Sequence, residues 1–229
     1  MNKNINSKKI VELESLLNPN YYYVFRADGV DFKEFRVGKL DANELVQLGE
    51  VFHEISKLVF KTFHFVKFIY YFDDEINLAF KGNQIGFGRR VQKNLSILSA
   101  YISVEFNRLI SLTSFDDKLK RKGEYYFDGR FVEIKKYEAL IDYFEKEQTK
   151  SYVQVKNLLT HRGMLSKKPS INYIIANYLD DEDDLRSYKC LFGCFLSSNL
   201  EERHMISTEE ELILDITSLI EKSFSKKPK

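Results

Sequence analysis

Two acidic groups close apolar runs in this chain. Asp28-Gly29 ends the run Tyr22-Tyr23-Val24-Phe25-Arg26-Ala27, and Asp73-Asp74-Glu75 sits between Val66–Phe72 and Ile76-Asn77-Leu78-Ala79-Phe80. Each apolar run reads as a buried strand, and each set of carboxylates falls where the chain must turn. Neighbouring strands lie about 4.8 Å apart, so Asp28 and Asp74 can converge if their strands are neighbours. Converging carboxylates ionise together only when a cation sits between them. Oxygen donors of this kind suit Mg²⁺, which keeps several waters and takes the rest of its shell from substrate phosphates. Asp28 and Asp74 are therefore candidate ligands of two Mg²⁺ ions, with the Gly29 carbonyl completing one shell and Glu75 in support. Two metal ions so held serve displacement at a phosphoryl centre. The competing reading is that these acids only solvate turns, and for Asp73 that reading is preferred.

Cations stand at matching places. Arg26 lies two residues before Asp28 on the same strand and shares its face. It can hold a phosphate or pair with an acid. Lys39, Arg89, Arg90 and Lys93 are candidates for a nucleotide triphosphate. The last three fall at the start of a helical pattern, where the helix dipole favours anions; a solvated basic face is the alternative. Arg130 and Lys156 are further candidates. His53, His64, His161 and His204 are scattered without metal-ligand spacing, and no Walker or nucleophile-elbow motif is present. Cys190 and Cys194 read as small core residues, and Asp180 to Asp184 as a solvated loop or helix start.

The elements that must carry these residues follow from spacing. Ile10 to Leu17 has helical periodicity and is broken by Asn18-Pro19-Asn20. A strand over 21–27 follows, and Phe32 and Phe35 after the turn are expected to pack back on the sheet. Asp41 with Glu44 forms a capping-box pattern. Leu45, Leu48, Phe52, Ile55 and Val59 then make an amphipathic helix. Strands over 65–72 and 76–80 form an antiparallel hairpin through Asp73-Asp74-Glu75. A long helix is expected from about 90 to 112, then a strand over 131–134. Helical stretches at 137–150 and 152–159, a strand at 190–196 and a helix at 208–224 complete the pattern. The order β-α-β-β-α-β gives an α+β fold, a ferredoxin-like βαββαβ polymerase-type palm with additional C-terminal helices. The expected division is an N-terminal extension (1–20), a catalytic core (21–150), and a C-terminal extension with one strand (151–229).

The chain has 229 residues and a net charge of +1, so no strong overall field directs it to nucleic acid, although a local basic patch remains compatible with RNA. The N-terminus lacks a secretory pattern and no apolar run is long enough to span a membrane. The cytoplasm is the expected location, with no membrane partner.

Four short motifs, in order, resemble the tRNA(His) guanylyltransferase superfamily. Arg26-Ala27-Asp28-Gly29-Val30-Asp31-Phe32-Lys33-Glu34-Phe35 is similar to its Arg-x-Asp-Gly-Arg-x-Phe-x-x-Phe motif. Asp73-Asp74-Glu75 stands for Ser-Asp-Glu, Phe87-Gly88-Arg89-Arg90-Val91-Gln92-Lys93 for Phe-x-Arg-Arg-x-x-Lys, and Phe127-Asp128-Gly129-Arg130 for Phe-Asp-x-Arg. The resemblance implies two Mg²⁺ ions and GTP or ATP as substrates. It implies addition of nucleotides to the 5′ end of tRNA or related structured RNA, in the 3′–5′ direction. It also implies a homo-oligomer, dimer or tetramer. Val30 and Asp73 depart from the motifs, and no His-x-x-Asn-x-x-Asn pattern occurs near 151–159. The departures favour a 5′-end repair type over a dedicated tRNA(His) guanylylating enzyme. A palm synthase of a cyclic signalling nucleotide and a non-catalytic RNA-binding relative are the competing functions.

Overall fold

The computed structural model of the chain describes residues 15–32, 35, 40–120, 123–161, 193–198, 220 and 223–224. Its centre is a five-stranded sheet in the order β4-β1-β3-β2-β5. The strands are β1 (Tyr22–Gly29), β2 (Val66–Phe72), β3 (Glu75–Lys81), β4 (Phe127–Ile134) and β5 (Cys194–Ser197). Every pairing is antiparallel. Three helices accompany the sheet: α1 (Ala42–Thr62), α2 (Val91–Ile110) and α3 (Tyr137–His161). The βαββαβ palm order expected from periodicity is the order found.

Strand alternation divides the core in two. Tyr23, Phe25 and Ala27 of β1 join Ile76, Leu78 and Phe80 of β3 under α1 and α2. Val24 and Ala79 lie on the opposite face with Phe68, Tyr70, Phe72 and the α3 residues Leu140 and Phe144. α1 begins at the expected capping box, with Asp41 accepting from the Glu44 amide and Glu44 accepting from the Asp41 amide. α2 buries Leu98, Ile102, Phe106 and Ile110 at four-residue steps, one face of a helix. Phe32 and Phe35 are both buried with ring centroids 5.0 Å apart, as expected.

Three elements differ in extent from the sequence reading. β4 starts at Phe127, four residues before the expected Phe131, because residues 127–130 pair with Arg26 to Gly29 of β1. Gly129 is required: a Cβ there would lie 2.2 Å from Ser99 Oγ of α2 and 2.5 Å from the Phe25 ring. α3 runs unbroken through residue 150, where two separate helical stretches were expected. Ser15 to Leu17, the described end of the expected first helix, is extended, and Leu16 bridges Arg90. The acidic run at 180–184, Cys190 and nearly all of the expected last helix lie outside the described residues. Among the described residues no helix is long and apolar enough to cross a membrane.

Candidate active site

The register of β1 decides which side chains meet. Asp28 is opposite Glu75 of β3 on one side and opposite Asp128 of β4 on the other. Directly opposed residues of antiparallel strands project from the same face. Asp128, Asp28 and Glu75 therefore form one row across three strands. The next row is Arg130, Arg26 and Asn77. The Gly29 amide donates to the Asp74 carbonyl at 2.9 Å, which ties the β2–β3 turn to the end of β1. Asp73 takes the left-handed conformation of that turn, with φ of 50°, a geometry that aspartate tolerates. Gly29 is needed too, because a Cβ would lie 2.3 Å from the buried Phe32 ring.

The two rows are stitched by ion pairs. Arg26 reaches Glu75 Oε2 at 2.5 Å and Asp28 Oδ1 at 3.2 Å. Arg130 reaches Asp28 Oδ2 at 3.1 Å and Asp128 Oδ2 at 3.2 Å. Asn77 donates to Glu75 Oε1 at 2.7 Å, and Tyr143 of α3 donates to Asn77 Oδ1 at 2.7 Å. Burial pushes the Glu75 carboxyl up to about 8; Asn77 and Arg26 pull it down, while Glu147 and Asp28 add to the rise. Burial opposes the charge on Arg26, but Glu75 and Asp28 more than offset that and raise its pKa. The Asp28 side chain keeps 28% exposure, so this end of the sheet opens to solvent while Glu75 lies beneath it.

Arg89, Arg90 and Lys93 are elsewhere. Leu17, just before β1, donates its amide to the Arg89 carbonyl, and Arg89 Nη1 returns a bond to the Leu17 carbonyl at 3.2 Å. Val91 bonds Ser15 in the same way. α2 thus begins beside the start of β1, whereas Asp28 is at its end, about 20 Å away at a strand rise of about 3.3 Å per residue. Lys93 lies 5.7 Å from the Phe87 ring centroid, and Arg90 Nε bonds the Phe87 carbonyl. Lys39 and the Lys156 side chain lie outside the described residues. Sequence reasoning missed Asn77, Tyr143 and Glu147. One signal was present: Asn77 is a single amide inside the apolar strand Ile76–Phe80, and a buried amide needs partners.

The donor set suits a hard divalent cation. Every candidate ligand is an oxygen, from three carboxylates in one row and the backbone at Gly29 and Asp74. Among the described residues no three His, Cys, Asp or Glu side chains form a metal-holding group by themselves. A cation at Asp28 would take the place of an arginine contact and draw the rest of its shell from phosphates and water.

The family model described as tRNAHis guanylyltransferase (Thg1) matches residues 5–135, which carry every strand of this site. The chain belongs to that family. The guanylyltransferase family is one of nucleotidyltransferase enzymes acting on tRNA. Solved structures share its fold. The tRNA(His) guanylyltransferase of Saccharomyces cerevisiae is 16% identical over 89% of this chain and 96% of that one, with a TM-score of 0.62. A bacterial tRNA(His) guanylyltransferase (Thg1)-like protein in complex with ATP is 19% identical over 80% of this chain and 78% of its own, with a TM-score of 0.58. The bacterial protein in complex with GTP is 21% identical over 62% and 69%, with a TM-score of 0.52. No curated protein matches the chain.

Proposed function

We propose that this family member adds nucleotides to the 5′ end of tRNA or a related structured RNA in the 3′–5′ direction, as a 5′-end repair enzyme dependent on Mg²⁺. One observation carries the reading. The register that sets Asp28 against Glu75, with the Gly29 amide on the Asp74 carbonyl, brings the two acidic motifs to one open end of the sheet. A row of carboxylates at a solvent-facing strand end, backed by two arginines, suits a triphosphate better than a neutral ligand.

Asp28, Asp74 and the Gly29 carbonyl would hold the metal ions, with Glu75 in support. When bound, Mg²⁺ lowers the pKa of the attacking hydroxyl and neutralises charge on the triphosphate. The chain's own residues do the rest. Arg26, held between Glu75 and Asp28, keeps a fixed positive charge at the site for the transferring phosphate. Arg130 is 56% exposed at its side chain and can turn from Asp28 to a phosphate oxygen. Arg89, Arg90 and Lys93 bind phosphates too, but at the far end of β1 they serve an RNA backbone, beyond the reach of the nucleotide reacting at Asp28 in the same chain. The reaction runs in an oligomer outside any membrane.

The test is incubation with Mg²⁺ and labelled GTP or ATP, with and without a 5′-truncated tRNA. Label at the tRNA 5′ end supports the reading, and dependence on the opposing base separates repair from fixed guanosine addition. New nucleotide products without RNA would replace it with a signalling synthase. No turnover, with RNA bound, would leave a binding protein.

A further inference from the structure

The family match ends at residue 135, yet the network at the carboxylates is completed from beyond it. α3 brings Tyr143 and Glu147, one helical turn apart, to the sheet face that carries Asp28 and Glu75. The contacts run in series. Tyr143 donates to Asn77 Oδ1 at 2.7 Å, Asn77 donates to Glu75 Oε1 at 2.7 Å, and Glu75 Oε2 meets Arg26 at 2.5 Å. The same Arg26 nitrogen reaches Asp28. Asn77 is fully buried and Glu75 is 4% exposed, so no water competes freely for these groups.

The direction of the bonds matters. An asparagine amide has a donor end and an acceptor end. In the orientation present, the amide NH2 faces Glu75 and the amide oxygen faces Tyr143. The Tyr143 hydroxyl donates to Oδ1 and so supports that orientation. Burial, with Glu147 and Glu75 beside it, raises the Tyr143 pKa and keeps that proton in place. Glu147 supplies a second, independent observation. It is 3% exposed, its Oε1 pairs with Lys150 at 2.5 Å, and its Oε2 has no hydrogen-bond partner. A helix that only packed on the sheet would bury apolar side chains here and leave no polar atom unsatisfied.

We infer that Tyr143 is a positioning residue of the nucleotidyl-transfer site: through Asn77 it fixes the orientation of Glu75 and, with it, the Arg26–Asp28 pair. The inference rests on the roles proposed above for Glu75 and Asp28. Tyr143 itself touches neither substrate nor metal.

The experiment compares the full chain with Tyr143→Phe, Asn77→Ser and the double variant. It measures Mn²⁺ binding in the absence of nucleotide, and kcat and KM for GTP on a 5′-truncated tRNA. Tyr143→Phe removes one oxygen and keeps the ring, so the fold should hold, while the melting temperature falls by a few degrees because buried Asn77 Oδ1 loses its donor. The expected result is a loss of about tenfold in Mn²⁺ affinity and about tenfold in kcat, with GTP KM within about twofold. The double variant should be no worse than Asn77→Ser, because both act on one path. Mn²⁺ affinity and kcat both within about twofold of wild type would overturn the inference, as would additive losses in the double variant. If the wild-type chain transfers nothing to tRNA, the proposed function fails and the Mn²⁺ titration alone decides the role of Tyr143. A wild-type chain that binds no Mn²⁺ overturns both.

Discussion

Asp28 has each carboxylate oxygen against a different arginine, Arg26 and Arg130, while Glu75 below it is held by Arg26 and Asn77. Asp28→Asn and Asp74→Asn each remove a charged donor while keeping shape. Each should cut nucleotide transfer by on the order of 10³-fold and leave the thermal unfolding transition in place; turnover in either variant near wild type would remove that residue from the metal site. Glu75 gives a pH prediction. Its folded pKa, near 8, lies above the ordinary glutamate value of 4.5, so folding favours the protonated form. The resulting stabilisation is full below pH 4.5 and is lost as pH rises through 8. The melting temperature of the metal-free wild type should therefore fall relative to Glu75→Gln over that window, and parallel curves would count against it. The placement of Asp28, Gly29 and Asp74 at strand ends was legible in the sequence because carboxylates and glycine there announce turns. Tyr143 was not, because its partner Asn77 is 66 residues away and only the packing of α3 joins them.

At the scale of elements, the helices are written into the chain by local signals. The Asp41–Glu44 capping box marks the start of α1, and the apolar stripe behind it marks the buried face. Asp41→Ala should cost about 1 kcal/mol in denaturant unfolding, the usual loss for an N-cap acid. β4 was half legible. Its first residues, Phe127-Asp128-Gly129-Arg130, look like a loop until β1 is placed beside them. Pairing with β1 overrides their weak strand propensity. Gly129→Ala probes that packing: the added methyl has Ser99 Oγ and the Phe25 ring inside contact distance, so both side chains must shift. A loss of about 1–3 kcal/mol is expected by chemical denaturation; unchanged stability would mean that α2 approaches β4 less closely than described. β2 and β3 read clearly because two seven-residue strands, each rich in apolar residues, flank a two-residue turn and leave few alternatives.

For the molecule as a whole, the two groups of cations lie at opposite ends of β1. Arg26 and Arg130 stand at the acidic end, and Arg89, Arg90 and Lys93 at the other. A nucleotide-binding role for Arg26, Arg89, Arg90 and Lys93 was read from their order along the chain, which carries no distance across a sheet. The direction of α2, set by its antiparallel contact with the segment before β1, is what separates them. Arg89→Ala combined with Lys93→Ala should leave GTP KM within about twofold and weaken tRNA binding, lowering its salt slope by roughly 1.5. A raised GTP KM with normal tRNA affinity would return these residues to the nucleotide.

The position of β1 between β3 and β4 has a consequence for synthesis. Tyr22 pairs with Lys81 on one side and Ile134 on the other. On the ribosome, the strand that carries Asp28 emerges early and waits for roughly 110 further residues before its second edge is covered. At about 5–20 residues per second, that interval lasts about 5–20 s. Throughout it, Tyr23, Val24 and Phe25 are exposed to any other chain with a free strand. Nascent protein is thus most prone to aggregate before β4 leaves the exit tunnel, and slowing translation between β3 and β4 should lower the yield of folded chain more than slowing it after Ile134.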